Sequence, residues 1–539
     1  MNWPLVLHIL GALAVLMAAA MVPSLAIAGL GGDPVDVAPV TVPAFAKGMG
    51  VSALVGLTLL VGTLRRRRDR FGASDGFAVA TFGWLLLAIL AAVPLYLCKE
   101  ALPPQLAEAE GVVGTSPNWR FTYIDAFFET MSGLTTTGSS VFGTATAVEG
   151  GRGVIQALPP SFLFLRSLCH WLGGMGIIVL CLAVLPALRA GGYQAFQAEV
   201  PGPVAERLRP RIRETATILW GVYVLLTVAE TILLWLGRMP LFDAICHAFG
   251  TMATGGYSTK DASIGHYAQV GHPSALYFEV VIIVFMVLAG INFLLHFQAL
   301  RGSFDGFRRN RELLFYAAVL ATATIVIGAA LALWGGATYD SPGALARHTS
   351  FQVVSITTTT GYCTADFNAW PTLCRAGLVM LMFFGGCAGS TGGGMKQIRI
   401  LVLGKYFHRE MIRLLRPGLQ KPIRVGDTVL DSRRVANIVG LVILWVGSAI
   451  VASLILAALL QGHYNPNVGN DPDSQLLTSI TAVIATINNI GPGLSGVGAS
   501  QNFGWMPGTA KLLLCLCMLM GRLEIYSVVI MLLPRTWRL

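Results

Sequence analysis

Four short stretches of this 539-residue chain end in oxygen-rich, glycine-terminated turns. They read DAFFETMSGLTTTG (125–138), DAICHAFGTMATGG (243–256), HTSFQVVSITTTTG (348–361) and TSITAVIATINNIG (478–491), and they align without a gap. The eighth position is always small (Ser132, Gly250, Ser355, Ala485) and the last is always glycine. Each begins as an apolar, helix-like segment of about a dozen residues, too short to cross a bilayer and typical of a re-entrant element. Four amphipathic surface helices are the alternative, and the shared small position and shared glycine argue against it. A half-helix ending inside a membrane aims carbonyls worth about half a negative charge at whatever lies beyond it. Glycine permits the backbone angles that keep the next carbonyls pointing one way, where they replace a cation's hydration shell. Threonine hydroxyls add oxygen or cap carbonyls. The chemistry on offer is coordination of a hard cation, with no covalent step.

Two other constellations stand out. GGCAGSTGGGMK (385–396) interrupts an apolar segment, and six of the ten residues from Gly385 to Gly394 are glycine. Each glycine costs a helix about 1 kcal/mol relative to alanine, so the stretch is expected to be an unwound loop within the membrane rather than a packing kink. It does not match the phosphate-binding pattern G-x-x-x-x-G-K-[ST], and no strand precedes it. Arg522, in LMGRLEIYS, falls near the middle of the last apolar segment. An ionisable group there faces a cavity or an internal acid, and Glu524, two residues on, lies on a different helix face. Asp125 and Asp243 are expected to cap their half-helices; Asp366 either concentrates cations or is a solvated loop acid. His170 and His247 would be the base or metal ligand of a membrane enzyme, but neither has a second ligand four residues on, and packed, hydrogen-bonded histidines are the simpler reading.

These groups need a scaffold. The chain is 55% apolar and 12% charged, with a mean hydropathy of +0.67, against about a quarter charged in soluble domains. It is a polytopic all-α membrane protein. Ten spans are expected, at 5–29, 47–64, 77–97, 162–186, 214–236, 275–297, 313–334, 371–402, 435–460 and 508–533. The net charge of +10 resides in short connections, which indicates topology rather than nucleic-acid binding. RRRRDR (65–70), 187–213 (with Arg207, Arg209, Arg211 and Arg213), 301–312 and 403–434 fall on the cytoplasmic side, together with both termini. Residues 5–29 end in LAIAG, like a cleavage site, but the leader lacks Lys and Arg and the apolar run is too long for a signal peptide, so a retained helix is expected. The nine cysteines are read as small buried hydrophobes. From residue 77 onward each unit is span, half-helix, loop, span. Two spans return the chain to its starting side, so the four repeats are parallel, around a central cation pore. The expected divisions are 1–70 for a two-helix unit, then 71–200, 201–305, 306–420 and 421–539 for the repeats.

In order and spacing, MSGLTTTGSS, MATGGYST, ITTTTGYCTADF and INNIGPG resemble the four filter loops of the TrkH/KtrB/HKT superfamily of potassium uptake proteins. The likeness runs from about residue 77 to the end, and the two preceding helices match the TrkH/TrkG branch. It implies that carbonyls of Thr136, Thr137 and Gly138, Thr254, Gly255 and Gly256, Thr359, Thr360 and Gly361, and Asn489, Ile490 and Gly491 bind potassium. With two adjacent glycines in the second loop, the ungapped alignment selects Gly256 as the equivalent of Gly138. By the same resemblance, in which a serine here goes with sodium preference in plant relatives, glycine at 138 implies potassium over sodium. The resemblance also implies an intramembrane gate at Gly385, Gly386, Gly389, Ser390, Thr391, Gly392, Gly393 and Gly394. Arg522 is then expected beneath the filter, repelling cations. Further implications are a bacterial inner-membrane location, a homodimer, and a cytosolic TrkA-type nucleotide-binding subunit that docks on 403–434 and other inside loops.

The expected function is potassium uptake through a channel-like path, driven by the ion gradient and the membrane potential, with no enzyme activity, no cofactor beyond the transported ion and no nucleic-acid partner. A proton- or sodium-coupled potassium symporter is the nearest alternative. A transporter of an organic solute would need charged or aromatic recognition groups at the midplane and usually inverted repeats, and neither is evident.

Overall fold

The structure is a computed structural model, and it describes residues 1–64, 72–102, 121–143, 154–176, 212–336, 339, 341–416, 422–426, 428–469 and 471–537. The RRRRDR segment, the second half of the expected 162–186 span and the 187–211 connection lie outside the described residues, as do 417–421 and 427 of the 403–434 connection.

The N-terminal unit is Trp3–Ala20, continued by Val22–Gly29, and the antiparallel Ala38–Thr63. Its helices meet where side chains are absent. A Cβ built on Gly11 would lie 2.9 Å from the Gly56 carbonyl oxygen, and one on Gly56 2.8 Å from that of Gly11, the close crossing small residues allow in lipid. Gly48 takes the Pro94 ring in the same way. Trp3 stacks on Trp537, with ring centres 5.6 Å apart, so the two ends of the chain lie on one face.

The rest is fourfold. Each repeat opens with a continuous span: Ala73–Leu97, Ile212–Leu236, Arg311–Trp334 and Ser432–Leu459. A half-helix follows: Tyr123–Leu134, Leu241–Met252, Pro342–Thr357 and Pro472–Ile487. In the second, third and fourth repeats the second span is then interrupted. Within the described residues the first repeat's helix, Pro160–Gly174, ends at a glycine. In the third, helix stops at Leu381 and resumes at Gln397, as the glycine content predicts.

The second and fourth repeats correct the expectation of unbroken spans at 275–297 and 508–533. Ala275–Ala289 and Phe293–Leu300 meet at 103°, and Gly508–Arg522 and Tyr526–Leu532 at 120°. Neither break has a glycine run to announce it. The first comes from Asn292, whose side chain accepts from Leu294 N and starts a new helix, and from neighbours that take the freed backbone groups: Cys387 N donates to Gly290 O (2.8 Å) and Phe293 N to Gly389 O (3.0 Å). The second passes through Glu524 and Ile525 at φ 55° and 59°. Arg522 is therefore the last residue of a short helix, not the middle of a long one.

Ion pairs join the repeats. Asp125 forms a capping box with Thr122, as expected, and is also paired with Lys511 of the fourth repeat, both buried. Asp243 corrects the capping expectation: Pro240 holds the N-cap, and the Asp243 carboxylate instead binds the outgoing loop through Thr259 Oγ1 (2.7 Å) and Lys260 Nζ (3.0 Å). Arg347 of the third repeat meets Glu279 of the second at 2.9 Å. Removing one member of such a pair strands a buried charge, at about 3–5 kcal/mol. Lys511→Ala should therefore lower the thermal denaturation midpoint of the detergent-solubilised protein clearly, whereas the double change Asp125→Asn/Lys511→Met should recover part of the loss.

Candidate functional site

The C-terminus of every half-helix is built alike. The residues Thr136, Thr254, Thr359 and Asn489 have φ of 52°, 55°, 61° and 53°. Their N–H groups bond three residues back, to Gly133, Thr251, Ile356 and Thr486. The next N–H groups, of Thr137, Gly255, Thr360 and Ile490, bond five residues back, to Ser132, Gly250, Ser355 and Ala485 at 2.8–2.9 Å. This is the Schellman closure, normally made by glycine or asparagine at the left-handed position. The acceptors at five residues back are the four small positions singled out in the sequence. Three threonines in the left-handed region are conformational outliers for a β-branched residue, each costing about 1–3 kcal/mol, so a specific contact must retain them. Two such contacts involve the loops below: Thr136 Oγ1 accepts from Arg522 and Thr359 Oγ1 from Gly393 N at 2.7 Å.

Two residues later the chain turns again at Gly138, Gly256, Gly361 and Gly491, with φ of 81°, 83°, 81° and 100°. The second loop therefore uses Gly256, as the ungapped alignment has it. At each glycine, the missing side chain makes room for the next repeat's backbone. A Cβ on Gly138 would lie 2.0 Å from Gly255 O, one on Gly256 2.1 Å from Thr360 O, one on Gly361 1.9 Å from Ile490 O, and one on Gly491 2.8 Å from Thr137 O. The sequence is first to second, second to third, third to fourth and fourth back to first. The four loops close into a ring, and the carbonyl of the residue before each glycine abuts its neighbour.

Behind the ring is a cuff that differs from wall to wall. Tyr257 OH donates to Glu129 O (2.9 Å) and to the Glu129 carboxylate (2.6 Å). Tyr362, its equivalent, donates to His247 O at 3.0 Å; its hydroxyl occupies the space a side chain at Gly250 would need, 2.3 Å from the built Cβ. The fourth repeat has Pro492 at this position and the first has Ser139, whose hydroxyl donates to Gly491 O. His170 braces the second loop: its Nδ1 bonds Gly133 O at 2.8 Å and its Nε2 accepts from Tyr257 N. His247 is likewise held, by Asp243 O and Ser258 Oγ. Both histidines are structural, and no group of three metal-ligating side chains exists among the described residues.

Directly under the ring lies the glycine-rich loop. Its neck is closed by Gly385 N to Met395 O (2.9 Å) and by the Gln397 side chain to Gly385 O (2.8 Å). Thr391 Oγ1 donates to Met252 O, at the end of the second half-helix. Gly392 sits near Thr358 O and Gly393 against Asn488 and Asn489. Arg522 comes from the fourth repeat and spreads its guanidinium over three segments: Thr136 Oγ1 (2.9 Å), Thr391 O (2.9 Å), and Gly173 O and Gly174 O (2.5 and 2.8 Å). Glu524 does not serve it, being paired with Arg399. Asp366 bonds Asn368 N and Ser500 in the outer loops.

Sequence reasoning missed three groups here. Arg166 pairs with Glu129 and lies over the Tyr257 ring at 4.1 Å. Glu230 is fully buried in the Ile212–Leu236 span, beside Thr251 of the second half-helix. Glu312 binds the glycine-rich loop. Lone ionisable residues inside apolar runs (Glu129, Arg166, Glu230) were the available signal.

The model of the TrkH family, described as cation transport protein, matches residues 107–537. The Trk system potassium uptake protein TrkH of Salmonella typhimurium is 38% identical over 497 residues, 92% of each chain. Its namesake from Halomonas elongata is 35% identical over the full length of both. The crystal structure of the potassium transporter TrkH from Vibrio parahaemolyticus superposes with a TM-score of 0.79 at 32% identity, covering both chains completely.

Proposed function

Because the chain belongs to the TrkH family of cation transport proteins, we propose that it takes up potassium through the ring of four loops, as the names of its relatives state for them. The observation that carries this reading is the closed cycle of glycine–carbonyl approaches, which turns four separate turns into one oxygen-lined aperture. The ion sites are the carbonyls of Thr136, Thr137 and Gly138, Thr254, Gly255 and Gly256, Thr359, Thr360 and Gly361, and Asn489, Ile490 and Gly491. A carbonyl cage held open by a surrounding cuff replaces the hydration shell of a large monovalent cation. The loop Gly385–Gly394, with Arg522 laid across it, is the gate. The four units 71–200, 201–305, 306–420 and 421–539 each contribute one wall, and 1–70 is an accessory unit.

The protein resides in the bacterial inner membrane with both termini cytoplasmic, which the clustering of Lys and Arg in 301–312 and 403–434 supports. It works as a homodimer with a cytosolic TrkA-type subunit that supplies nucleotide control. The test is rubidium uptake into proteoliposomes under an imposed potential. Excess potassium should block it and excess sodium should not, and a proton ionophore should leave it intact once the potential is clamped. Absence of uptake with the cytosolic subunit and nucleotide present would overturn the reading.

A further inference from the structure

We infer that Glu312 is the positioning residue that fastens the gate, and that it connects the gate to the cytoplasmic surface; the inference rests on the gate reading above. Glu312 lies in the first turn of the Arg311–Trp334 helix and is buried. One carboxylate oxygen, Oε1, accepts two backbone N–H groups: Ala388 N at 2.7 Å and Ile398 N at 3.0 Å. These belong to opposite limbs of the glycine-rich loop, one just inside its neck and one just beyond it. A single side-chain atom of the third repeat's first helix thus clamps both strands of the loop. Hydrogen bonds to an ionised acceptor are about twice as strong as neutral ones, and the glycine-rich segment has little helical stability of its own to hold it in place.

The same residue is tied to the surface. Asn310 Oδ1 accepts from Glu312 N (2.9 Å) and Leu313 N (3.0 Å), so the helix start and the preceding connection form one piece. That connection carries Arg301, Arg308, Arg309 and Arg311. Its short helix, Asp305–Arg309, has no buried residue and is open to a partner with an acidic face. Displacing this connection moves Glu312, and with it both limbs of the loop that lies under Thr359 and Arg522.

The test compares rubidium uptake by the chain alone for Glu312→Ala, Glu312→Gln, Glu312→Asp and Arg522→Ala, each checked for monodispersity. Glu312→Ala should raise uptake about ten-fold, because two charge-assisted hydrogen bonds are lost, with potassium-over-sodium discrimination unchanged. Glu312→Gln keeps an oxygen at the same reach but loses the charge assistance, and should lie between wild type and the alanine variant, nearer wild type. Glu312→Asp keeps the charge but is one methylene short, and should behave like the alanine variant. A purely electrostatic role would give the opposite order for Asp and Gln, and would overturn the inference. So would wild-type uptake in both the alanine and aspartate variants while Arg522→Ala is raised, with the gate reading left standing. No rise in any of these variants would remove the gate reading itself. If the alanine variant does not fold, the Asp–Gln contrast decides.

Discussion

Alanine at Gly361 should abolish discrimination between potassium and sodium, and the four equivalent glycines should rank by how closely the neighbouring carbonyl approaches. A Cβ at 361 would be placed 1.9 Å from Ile490 O and 3.1 Å from the Pro492 ring. The obstructing atom is backbone, and Pro492 stiffens it further, so the fourth loop must move outward. The distances at Gly138 and Gly256, 2.0 and 2.1 Å, demand a similar shift of the second and third loops. At Gly491 the nearest atom, Thr137 O, is 2.8 Å away, and a few tenths of an ångström would relieve it. All four also hold positive φ, which adds about 1–2 kcal/mol for any L residue. The expected series is therefore severe loss of potassium-selective rubidium uptake at 361, 138 and 256, and the mildest effect at 491. Gly138→Ser should let sodium compete for uptake, since a displaced Gly255 carbonyl no longer holds its place in the cage. Potassium and sodium competition curves on each variant check the ranking. Wild-type selectivity in Gly138→Ser, or the strongest defect at Gly491, would contradict the ring as the selective element.

The half-helices, their small position and their terminal glycine were legible because one local geometry is written four times. The Schellman closure needs a fixed spacing from the small residue to the left-handed one, here from Ser132 to Thr136 and its equivalents, and that spacing survives in sequence. The glycine-rich loop was legible for the same local reason. The breaks after Ala289 and Arg522 were not. Apart from Asn292, Arg522 and Glu524 their flanks are apolar, with no glycine run, and much of what unwinds them is tertiary: Gly290 O is taken by Cys387 N, from a segment almost a hundred residues away, and Gly521 lies against Ile487 O, 2.1 Å from a built Cβ. Glu312 was hidden by position. At the end of a span it reads as one more loop charge, and only the folded chain brings Ala388 and Ile398 to it. Asp125 illustrates the intermediate case: its cap was readable from Thr122–Asp125, whereas its partner Lys511 lies 386 residues on.

Arg522→Ala should raise cation flux by about ten-fold or more, through two effects that a lysine substitution separates. The guanidinium meets four acceptors on three segments: the first ring loop at Thr136, the glycine-rich loop at Thr391, and the end of the Pro160–Gly174 helix at Gly173 and Gly174. A planar fork with five donors can do this; an ammonium with three cannot. Losing it leaves three buried backbone oxygens without that donor, at about 1–3 kcal/mol each unless water enters, and water entering beneath the ring is itself a step toward conduction. The second effect is charge. A cation passing about 4 Å from the guanidinium at an effective dielectric near 20 meets a barrier of about 4 kcal/mol. Arg522→Lys keeps most of this barrier while dropping bridges, so its flux should lie between wild type and Arg522→Ala. Initial rates of rubidium uptake at a fixed potential measure all three. Equal rates in the lysine and alanine variants would assign the effect to the lost bridges alone. A folded alanine variant no faster than wild type would remove Arg522 from the conduction path, leaving it as a brace between the first and fourth repeats.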